Sequence, residues 1–282
     1  MNVGAHVRRR SGGIAGAVEE CHLRGADAAQ IFVSNPRGWA GPRVTDEEAA
    51  AFRESWAASG LGPLVAHAPY LVNIASPNKE FVAKSRGLAG STVRACDALG
   101  IDFLVLHAGA GGPTEPAAAR ERAATTLRIA SDNAEHVRVL VELMAGTSGA
   151  VASTIPEAAA LLEAADVEGV DLCLDTCHLF AAGYALDTPE GIEKVFAELK
   201  TEGISGRVEL IHANDSLYPR GERRDRHENI GDGFIGPDGW RAIVARPELA
   251  DLALILETPG EADRQAEDIT FLRSLAGGET AT

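Results

Sequence analysis

The sequence predicts a single α/β domain with the closed (β/α)8 architecture of a TIM barrel, and three observations support this. Eight short apolar runs recur along the 282 residues at intervals of about 28 to 45 residues, the length of a βα unit. Stretches with helical periodicity and N-capping signals separate the runs. Seven of the eight runs end on His, Asp or Glu, which would gather polar side chains at one rim of the barrel.

The apolar runs are short and rich in aliphatic residues, as are strands buried on both faces of a parallel sheet. Polar residues inside such strands would be costly, but at the strand ends they can meet on the barrel axis. The predicted strands end near His6, Val33, His67, His107, Glu142, Asp175, His212 and Glu257.

Helix signals lie between these runs. Thr45 with Glu48 and Thr154 with Glu157 form predicted capping boxes, and Thr188 precedes a proline at the first helical position. Amphipathic patterns predict further helices over 77–99, 117–134, 192–199 and 262–275. No linker divides the chain, so we expect residues 1–275 to form the barrel and residues 276–282 a flexible C-terminal tail.

The formal net charge is −15, which taken alone argues against a nucleic-acid partner, because phosphate binding needs positive charge. Bound metal ions would remove this objection. The arginines are also clustered, so that the local field can oppose the net charge. One cluster comprises Arg220, Arg223, Arg224 and Arg226.

Targeting signals and cysteines indicate the compartment. The first ten residues lack the apolar stretch of a secretory signal, and no apolar run could span a bilayer. We therefore expect no membrane partner and a cytoplasmic protein. Its four cysteines have no disulfide-framework spacing and are predicted to be reduced and buried rather than metal ligands. They are Cys21, Cys96, Cys173 and Cys177.

Nine residues have the chemistry of metal ligands. Six stand at predicted strand ends and three on the loops that follow: His67, His107, Glu142, Asp175, His212 and Glu257, then His178, Asp225 and His227. Nitrogen and oxygen donors suit zinc, manganese or iron. Nine ligands are too many for one tetrahedral ion and suit three ions if one carboxylate bridges. Three divalent ions and four carboxylates leave about two positive charges, which would attract a phosphodiester.

The other histidines have weaker signals. His22 and His136 lie outside the strand ends and are predicted to have no role in the site. His6 ends the first strand. The sequence leaves open whether it contacts the site directly or hydrogen-bonds to one of the ligands.

The residues carrying these features match a known family. The motifs are GAHV from Gly4, HAPYLVN from His67, LDTCHLFAAGY from Leu174, HANDS from His212, DRHENIG from Asp225 and ILET from Ile255. Taken in this order, they resemble those of endonuclease IV, the metal-dependent apurinic/apyrimidinic (AP) endonuclease family of base-excision repair, whose barrel is xylose-isomerase-like. The resemblance covers about residues 3–275.

The resemblance implies a role for each ligand. His67, His107 and Glu142 would hold one zinc ion, with Glu142 bridging to a second ion. The second ion would also take Asp175, His212 and Glu257, and the third would take His178, Asp225 and His227. Glu142, Asp175 and Glu257 would be the catalytic residues. Arg37, Tyr70 and Leu71 would enter the DNA at the lesion, and Arg226 would contact its backbone.

The resemblance also implies an activity. The enzyme would be a hydrolase, a zinc-dependent endonuclease of the deoxyribonuclease IV type. It would cut the phosphodiester 5′ to abasic sites in double-stranded DNA, leaving a 3′-hydroxyl and a 5′-deoxyribose phosphate, and would remove 3′-blocking groups. Three Zn²⁺ ions, with Mn²⁺ or Fe²⁺ as possible substitutes, would supply a metal-bound hydroxide as the nucleophile. The family further implies a monomer, associated with the nucleoid when acting.

Two other functions remain open. The first is a sugar isomerase or epimerase on the related barrel, with one or two divalent metals, and the second is a metal-bound DNA-binding protein without turnover. An isomerase would need neither the His178, Asp225 and His227 set nor the Tyr70-Leu71 pair. The chain also departs from the family after Glu142, where Leu143-Met144 replaces Asn-Thr.

Overall fold

Eight parallel strands close into a barrel in the computed structural model, which describes residues 1–8, 13–112 and 115–276. The strands are β1 (Asn2–His6), β2 (Ala28–Ile31), β3 (Leu64–His67), β4 (Phe103–His107), β5 (Arg138–Glu142), β6 (Val170–Asp175), β7 (Val208–His212) and β10 (Ala253–Leu256). Around the barrel the order is β1-β10-β7-β6-β5-β4-β3-β2. The predicted fold is confirmed. Residues 277–282 of the predicted tail lie outside the described residues, and Ala276 still belongs to the last helix.

Helices alternate with the strands. They are α1 (Ala17–Arg24), α2 (Asp46–Ser59), α3 (Lys79–Leu99), α4 (Pro116–Asp132), α5 (Ile155–Ala165), α6 (Thr176–Ala182), α7 (Pro189–Thr201), α8 (Gly236–Val244) and α9 (Ala262–Ala276). Both predicted capping boxes are present, at Thr45 and Thr154, and Thr188 caps α7. Helix α3 starts later than predicted because Asn78 caps it, accepting from the N–H of Phe81.

Two strands end earlier than the sequence predicts. Strand β2 ends at Ile31 rather than Val33, because its pairing with β3 stops at Ile31 opposite Ala66. Strand β10 ends at Leu256, so Glu257 is the first residue of the loop. Three helices, α1, α6 and α8, are not among those predicted from the sequence. Among them, α6 begins directly after Asp175, whose carboxylate caps it.

The barrel interior is filled at mid-height by small and aliphatic side chains. They come from seven strands and are Ala28, Val65, Val105, Leu140, Cys173, Leu210, Ala253 and Ile255. The eighth strand contributes Gly4, where any Cβ would overlap the carbonyl of Ala28. A larger apolar layer packs between the strands and the helices. This packing forms a rigid floor beneath the side chains at the strand ends.

An antiparallel pair of two-residue strands, β8 (Asp215–Ser216) and β9 (His227–Glu228), lies beyond β7. It folds the long β7–α8 loop back over the carboxyl rim of the barrel. Within the described ranges, every helix is too short or too polar to cross a bilayer.

Candidate metal centre

The ends of β3, β4 and β5 bring three predicted ligands together. His107 lies in register with Glu142 on the neighbouring strand. The Nε2 atoms of His67 and His107 are each 3.2 Å from Oε2 of Glu142. Glu142 is fully buried, so its charge is shielded from water and faces imidazoles instead. These three side chains form a group that can hold one metal ion.

Glu142 also belongs to a second group, which its other oxygen faces. Nδ1 of His212 is 3.0 Å from Oε1 of Glu142, 3.6 Å from Oε2 of Glu257 and 4.0 Å from Oδ2 of Asp175. These four residues form a group with the spacing of metal ligands. Because each oxygen of Glu142 faces a different set of nitrogens, this carboxylate is placed to bridge two ions.

The third group lies on the loops above the rim. Nε2 of His178 is 3.3 Å from one oxygen of Asp225, and Nε2 of His227 is 3.3 Å from the other. His178 reaches this position because Asp175 caps α6, accepting from the N–H of His178 at 2.8 Å. The i, i+3 spacing of Asp175 and His178 thus connects the second group to the third.

Asp215 holds the loop that carries Asp225 and His227. Its buried carboxylate accepts from Nε1 of Trp240 at 2.9 Å and from four backbone N–H groups. Those are the N–H groups of Ser216, Gly231, Ile235 and Gly236, at 2.7 to 3.2 Å. Burial raises the pKa of Asp215 although these donors oppose the shift. The five bonds tie both ends of the loop to the barrel, which fixes the third group in place.

The hydrogen bonds of the histidines leave free nitrogens toward the centre. His67 donates from Nδ1 to the carbonyl of Ala68 at 2.7 Å, and His178 donates from Nδ1 to the carbonyl of Leu143 at 2.8 Å. The Nε2 atoms of His178 and His227 are buried, and in the described part of the chain neither makes a hydrogen bond of normal geometry, although an oxygen of Asp225 lies 3.3 Å from each. Buried nitrogens rarely lack partners, so these atoms fit the coordination of a transition metal.

The departure from the family that the sequence predicts at Leu143 is compatible with this arrangement, because the backbone carbonyl of Leu143 makes the bond to His178. The Leu143 side chain is fully buried in the apolar core. A leucine can therefore stand at this position without removing a hydrogen bond from His178.

The carboxylates of the centre raise the pKa of several of its histidines, which favours protonated imidazoles when no metal is bound. Burial lowers the pKa of His178, but the charges of Asp175 and Asp225 outweigh burial and raise it well above its usual value. The same balance raises the pKa of His227 to about 9. Burial raises the pKa of Glu142, but the neighbouring imidazoles, above all His212, hold it well below its usual range. The cluster is thus organised to neutralise four carboxylates with cations.

A cavity of about 920 Å³ opens onto all three groups. Its walls include His67, His107, His178, Asp225, His227 and Glu257. Arg37 and Tyr70, predicted to contact DNA, also border it. The Tyr70 side chain is 57% exposed, and its ring packs edge-on against Phe32 with 5.2 Å between centroids.

Two further residues predicted to contact DNA do not border this cavity. Leu71 is half-buried beside Tyr70. Arg226 is exposed and donates to the backbone carbonyl of Asp225 at 2.6 Å. Arg37 and Tyr70 thus lie with the metal centre, whereas Leu71 and Arg226 lie at its edge.

Comparisons with known proteins agree with the barrel fold and with the family that the sequence motifs resemble. A family model described as a xylose isomerase-like TIM barrel matches residues 18–275. A protein of Methanoculleus marisnigri named probable endonuclease 4 is 39% identical over 279 residues, covering 98% of this chain and 99% of that protein. The chain belongs to the endonuclease IV family. A probable endonuclease 4 of Streptomyces coelicolor is 36% identical over 281 residues, covering 98% of this chain and 95% of that protein.

Solved structures agree with membership of the endonuclease IV family. The crystal structure of endonuclease IV from Thermus thermophilus is 33% identical, with a TM-score of 0.87, and the match covers 99% of this chain and all of that one. A D-tagatose 3-epimerase-like protein is 17% identical with a TM-score of 0.70, covering 98% of both chains. The likeness to the epimerase shows the shared barrel alone, whereas the resemblance to the endonuclease IV family is confirmed.

Two residues at this centre, Asn214 and Gln30, have a role that we did not predict from the sequence. Asn214 donates to Oδ2 of Asp175 at 2.7 Å and accepts from the N–H of Glu257 at 2.8 Å. Gln30, buried in β2, hydrogen-bonds to Glu257 and His212. The sequence does contain a signal for Gln30, because it is an amide in the otherwise apolar run AAQI. A buried amide needs hydrogen-bond partners, which inside the barrel are the polar side chains at the strand ends.

The remaining histidines differ in their distance from the centre, and the cysteines are buried. Nδ1 of His6 is 3.4 Å from Oε1 of Glu257, so His6 borders the second group, while His22 and His136 are exposed. All four cysteines are buried free thiols. Cys177 lies close to Asp175 and His227, where its buried thiol donates to the backbone carbonyl of Arg226 at 3.5 Å, and burial raises its pKa.

Proposed function

We propose that this chain is a metal-dependent DNA-repair endonuclease that hydrolyses the phosphodiester 5′ to abasic sites in duplex DNA. The products would be a 3′-hydroxyl and a 5′-deoxyribose phosphate, and blocked 3′ ends would also be substrates. Membership of the endonuclease IV family, with relatives 36–39% identical over nearly the whole chain, supports this reaction.

The observation that carries the proposal is the third ligand group, formed by His178, Asp225 and His227. A sugar isomerase with one or two metals would have no use for it. Its place beside the other two groups, on one cavity, supports a cluster of three ions. Zinc suits these nitrogen and oxygen donors, and manganese or iron would accept the same ligands.

The nine residues would be divided among the ions as the resemblance to the endonuclease IV family implies. His67 and His107 would hold the ion of the first group, and Asp175, His212 and Glu257 that of the second, with Glu142 shared between these two ions. His178, Asp225 and His227 would hold the ion of the third group. When bound, divalent ions supply Lewis acidity that ionises water and neutralises charge on a phosphodiester. Glu142, Asp175 and Glu257, together with Asp225, would set the net charge near +2, which would overcome the repulsion between DNA and a chain of net charge −15.

The cavity wall would recognise the lesion. Pushing a nucleotide out of the stack costs a few kcal/mol, and least where the base is missing. Tyr70, exposed and braced by Phe32, would stack in the gap, and Leu71 would follow it as an apolar wedge. Arg37, on the cavity wall, would enter the DNA at the lesion with them and bring positive charge to it, and Arg226 would contact the DNA backbone outside the cavity.

The test is a nicking assay on a duplex carrying one abasic site, with and without a chelator. We expect cleavage on the 5′ side that the chelator abolishes and added Zn²⁺ restores. His227→Ala should lose cleavage, whereas His136→Ala, which changes an exposed histidine, should retain it. Binding without cleavage by the metal-loaded protein would support the DNA-binding alternative. If the metal-loaded protein neither binds nor cleaves the abasic duplex, the sugar isomerase becomes the better candidate.

We also propose that the protein acts as a monomer in the cytoplasm, on the nucleoid. Light scattering at the concentration of the assay should give the mass of one 29.5 kDa chain. A dimer mass, or exclusion of a tagged protein from the nucleoid after DNA damage, would contradict these two points.

A further inference from the structure

Gln30 is an amide in the interior of the barrel. It lies in β2 between Ala29 and Ile31, in register with His6 on β1, and its side chain has no exposed surface. Burial of an unpaired amide costs several kcal/mol in an apolar medium, so the bonds that it makes are the reason it can be there. The predicted ligand roles assign nothing to this residue.

The amide uses both of its donors and its acceptor. Nε2 donates to Oε1 of Glu257 at 2.6 Å and lies 2.9 Å from Nδ1 of His6. Oε1 lies 2.8 Å from Nε2 of His212. Gln30 therefore contacts two members of the second ligand group at once, although β2 is not next to β7 or β10 in the barrel.

The carboxylate of Glu257 decides which way the amide faces. An ionised carboxylate only accepts hydrogen bonds, so the atom 2.6 Å from it must be the amide nitrogen. The amide oxygen then faces His212. An oxygen acceptor there requires a proton on Nε2 of His212, and a neutral imidazole with its proton on Nε2 has its lone pair on Nδ1.

Nδ1 is the nitrogen of His212 that faces Glu142, Asp175 and Glu257. A metal ion in this group needs a lone pair on that atom. We infer that Gln30 is a positioning residue of the metal centre: its amide fixes His212 as the Nε2–H tautomer and holds one oxygen of Glu257, so that Nδ1 and the other oxygen serve the same ion. This inference rests on the proposed metal centre and does not depend on which reaction the centre performs.

The same amide fixes a second imidazole. Because Nε2 of Gln30 donates its other proton to Nδ1 of His6, neutral His6 carries its own proton on Nε2. His6 borders the cavity of about 920 Å³ at the metal centre and packs against Phe32 with 4.5 Å between ring centroids. One glutamine thus sets the tautomers of both a predicted ligand and a cavity residue.

The variant for the test is Gln30→Met, which keeps the length of the side chain and removes its hydrogen bonds. Gln265→Met is the matched control. Gln265 is also buried and borders the same cavity, but its amide bonds to Nε of Arg24 at 2.6 Å and to the carbonyl of Thr258 at 3.0 Å. Both variants lose a satisfied buried amide, but only Gln30→Met loses bonds to predicted ligands.

The measurement is a competition titration with Zn²⁺ and a chromophoric chelator, without DNA. We expect Gln30→Met to bind one ion about 10- to 100-fold more weakly than the wild type, the loss typical when the hydrogen-bond partner of a ligand is removed. Gln265→Met should stay within about twofold of the wild type on the same scale. Equal affinities of Gln30→Met and the wild type, or equal losses in both variants, would overturn the inference.

A second measurement needs no variant and is decisive if Gln30→Met fails to fold. Long-range ¹H–¹⁵N spectra of the imidazoles in the zinc-loaded wild type should show His212 protonated at Nε2. A proton on Nδ1 of His212 would overturn the inference. Both readouts concern metal binding, so a wild type that binds zinc but leaves abasic DNA uncut would contradict the proposed function alone.

Discussion

Replacing Glu142 by glutamine tests whether this carboxylate is shared by two ligand groups, because the change removes its charge and leaves its size almost unchanged. Glu142 is fully buried, and its oxygens lie 3.0 to 3.3 Å from four imidazoles. The amide would keep the shape, remove one negative charge and place an N–H₂ group against nitrogens that need bare lone pairs to bind metal. The variant would therefore disturb both of the ligand groups to which Glu142 belongs.

The size of the effect follows from what the variant loses. Removal of one preorganised electrostatic contact from a transition state costs about 10²- to 10³-fold in rate. Glu142 would contribute to two ions, so we expect at least the upper end, about 10³-fold, which corresponds to about 4 kcal/mol. Glu142→Gln should also retain fewer metal ions after dialysis than the wild type.

The assay is single-turnover nicking of an abasic duplex, with metal content measured on the same samples. Glu163→Gln, on the exposed face of α5, is the matched control and should behave as the wild type. If Glu142→Gln nicks within about threefold of the wild type and carries the same metal, the assignment of Glu142 as a shared ligand is refuted.

Three further predictions concern the cavity, the protons and the metals. Tyr70→Ala should weaken binding to abasic duplex by about 10- to 100-fold, since loss of one stacking ring costs about 1–3 kcal/mol, and should leave zinc affinity unchanged; weaker zinc binding would point to a structural role. In the metal-free protein, the pKa of His227 is raised to about 9, so its stabilisation is present below pH about 6.5 and is lost as the pH rises through about 9. Urea unfolding at about pH 6.5 and about pH 9.5 should show this loss in the wild type and a smaller one in His227→Ala; equal losses would count against it. Chelation should lower the melting temperature and zinc should restore it, and a melting temperature indifferent to zinc would argue against ions held by the fold.

The barrel was predictable because its signals are local and repeated. Apolar runs that end on polar residues mark the strands, and the capping boxes at Thr45 and Thr154 mark the first turns of their helices. The convergence of the predicted ligands could be expected for a related reason. Parallel strands of one barrel end at one rim, so His67, His107 and Glu142 had to converge.

The rest depends on contacts that sequence spacing does not encode. Nothing local to Asp215 shows that it accepts hydrogen bonds from residues 16 to 25 positions away and so anchors the loop of Asp225 and His227. The contact of Gln30 with His212 spans 182 residues and crosses the barrel interior. Helix α6 was missed because Asp175 both ends a strand and caps the helix, leaving no loop between them.

Anomalous diffraction at the zinc edge, from crystals grown with zinc, would test the metal centre most directly. We expect three peaks per chain, one in each ligand group, with ligand atoms about 2.0–2.2 Å from each peak. A map with no peak between His178, Asp225 and His227, in a protein saturated with zinc, would contradict the trinuclear centre on which the proposed function depends.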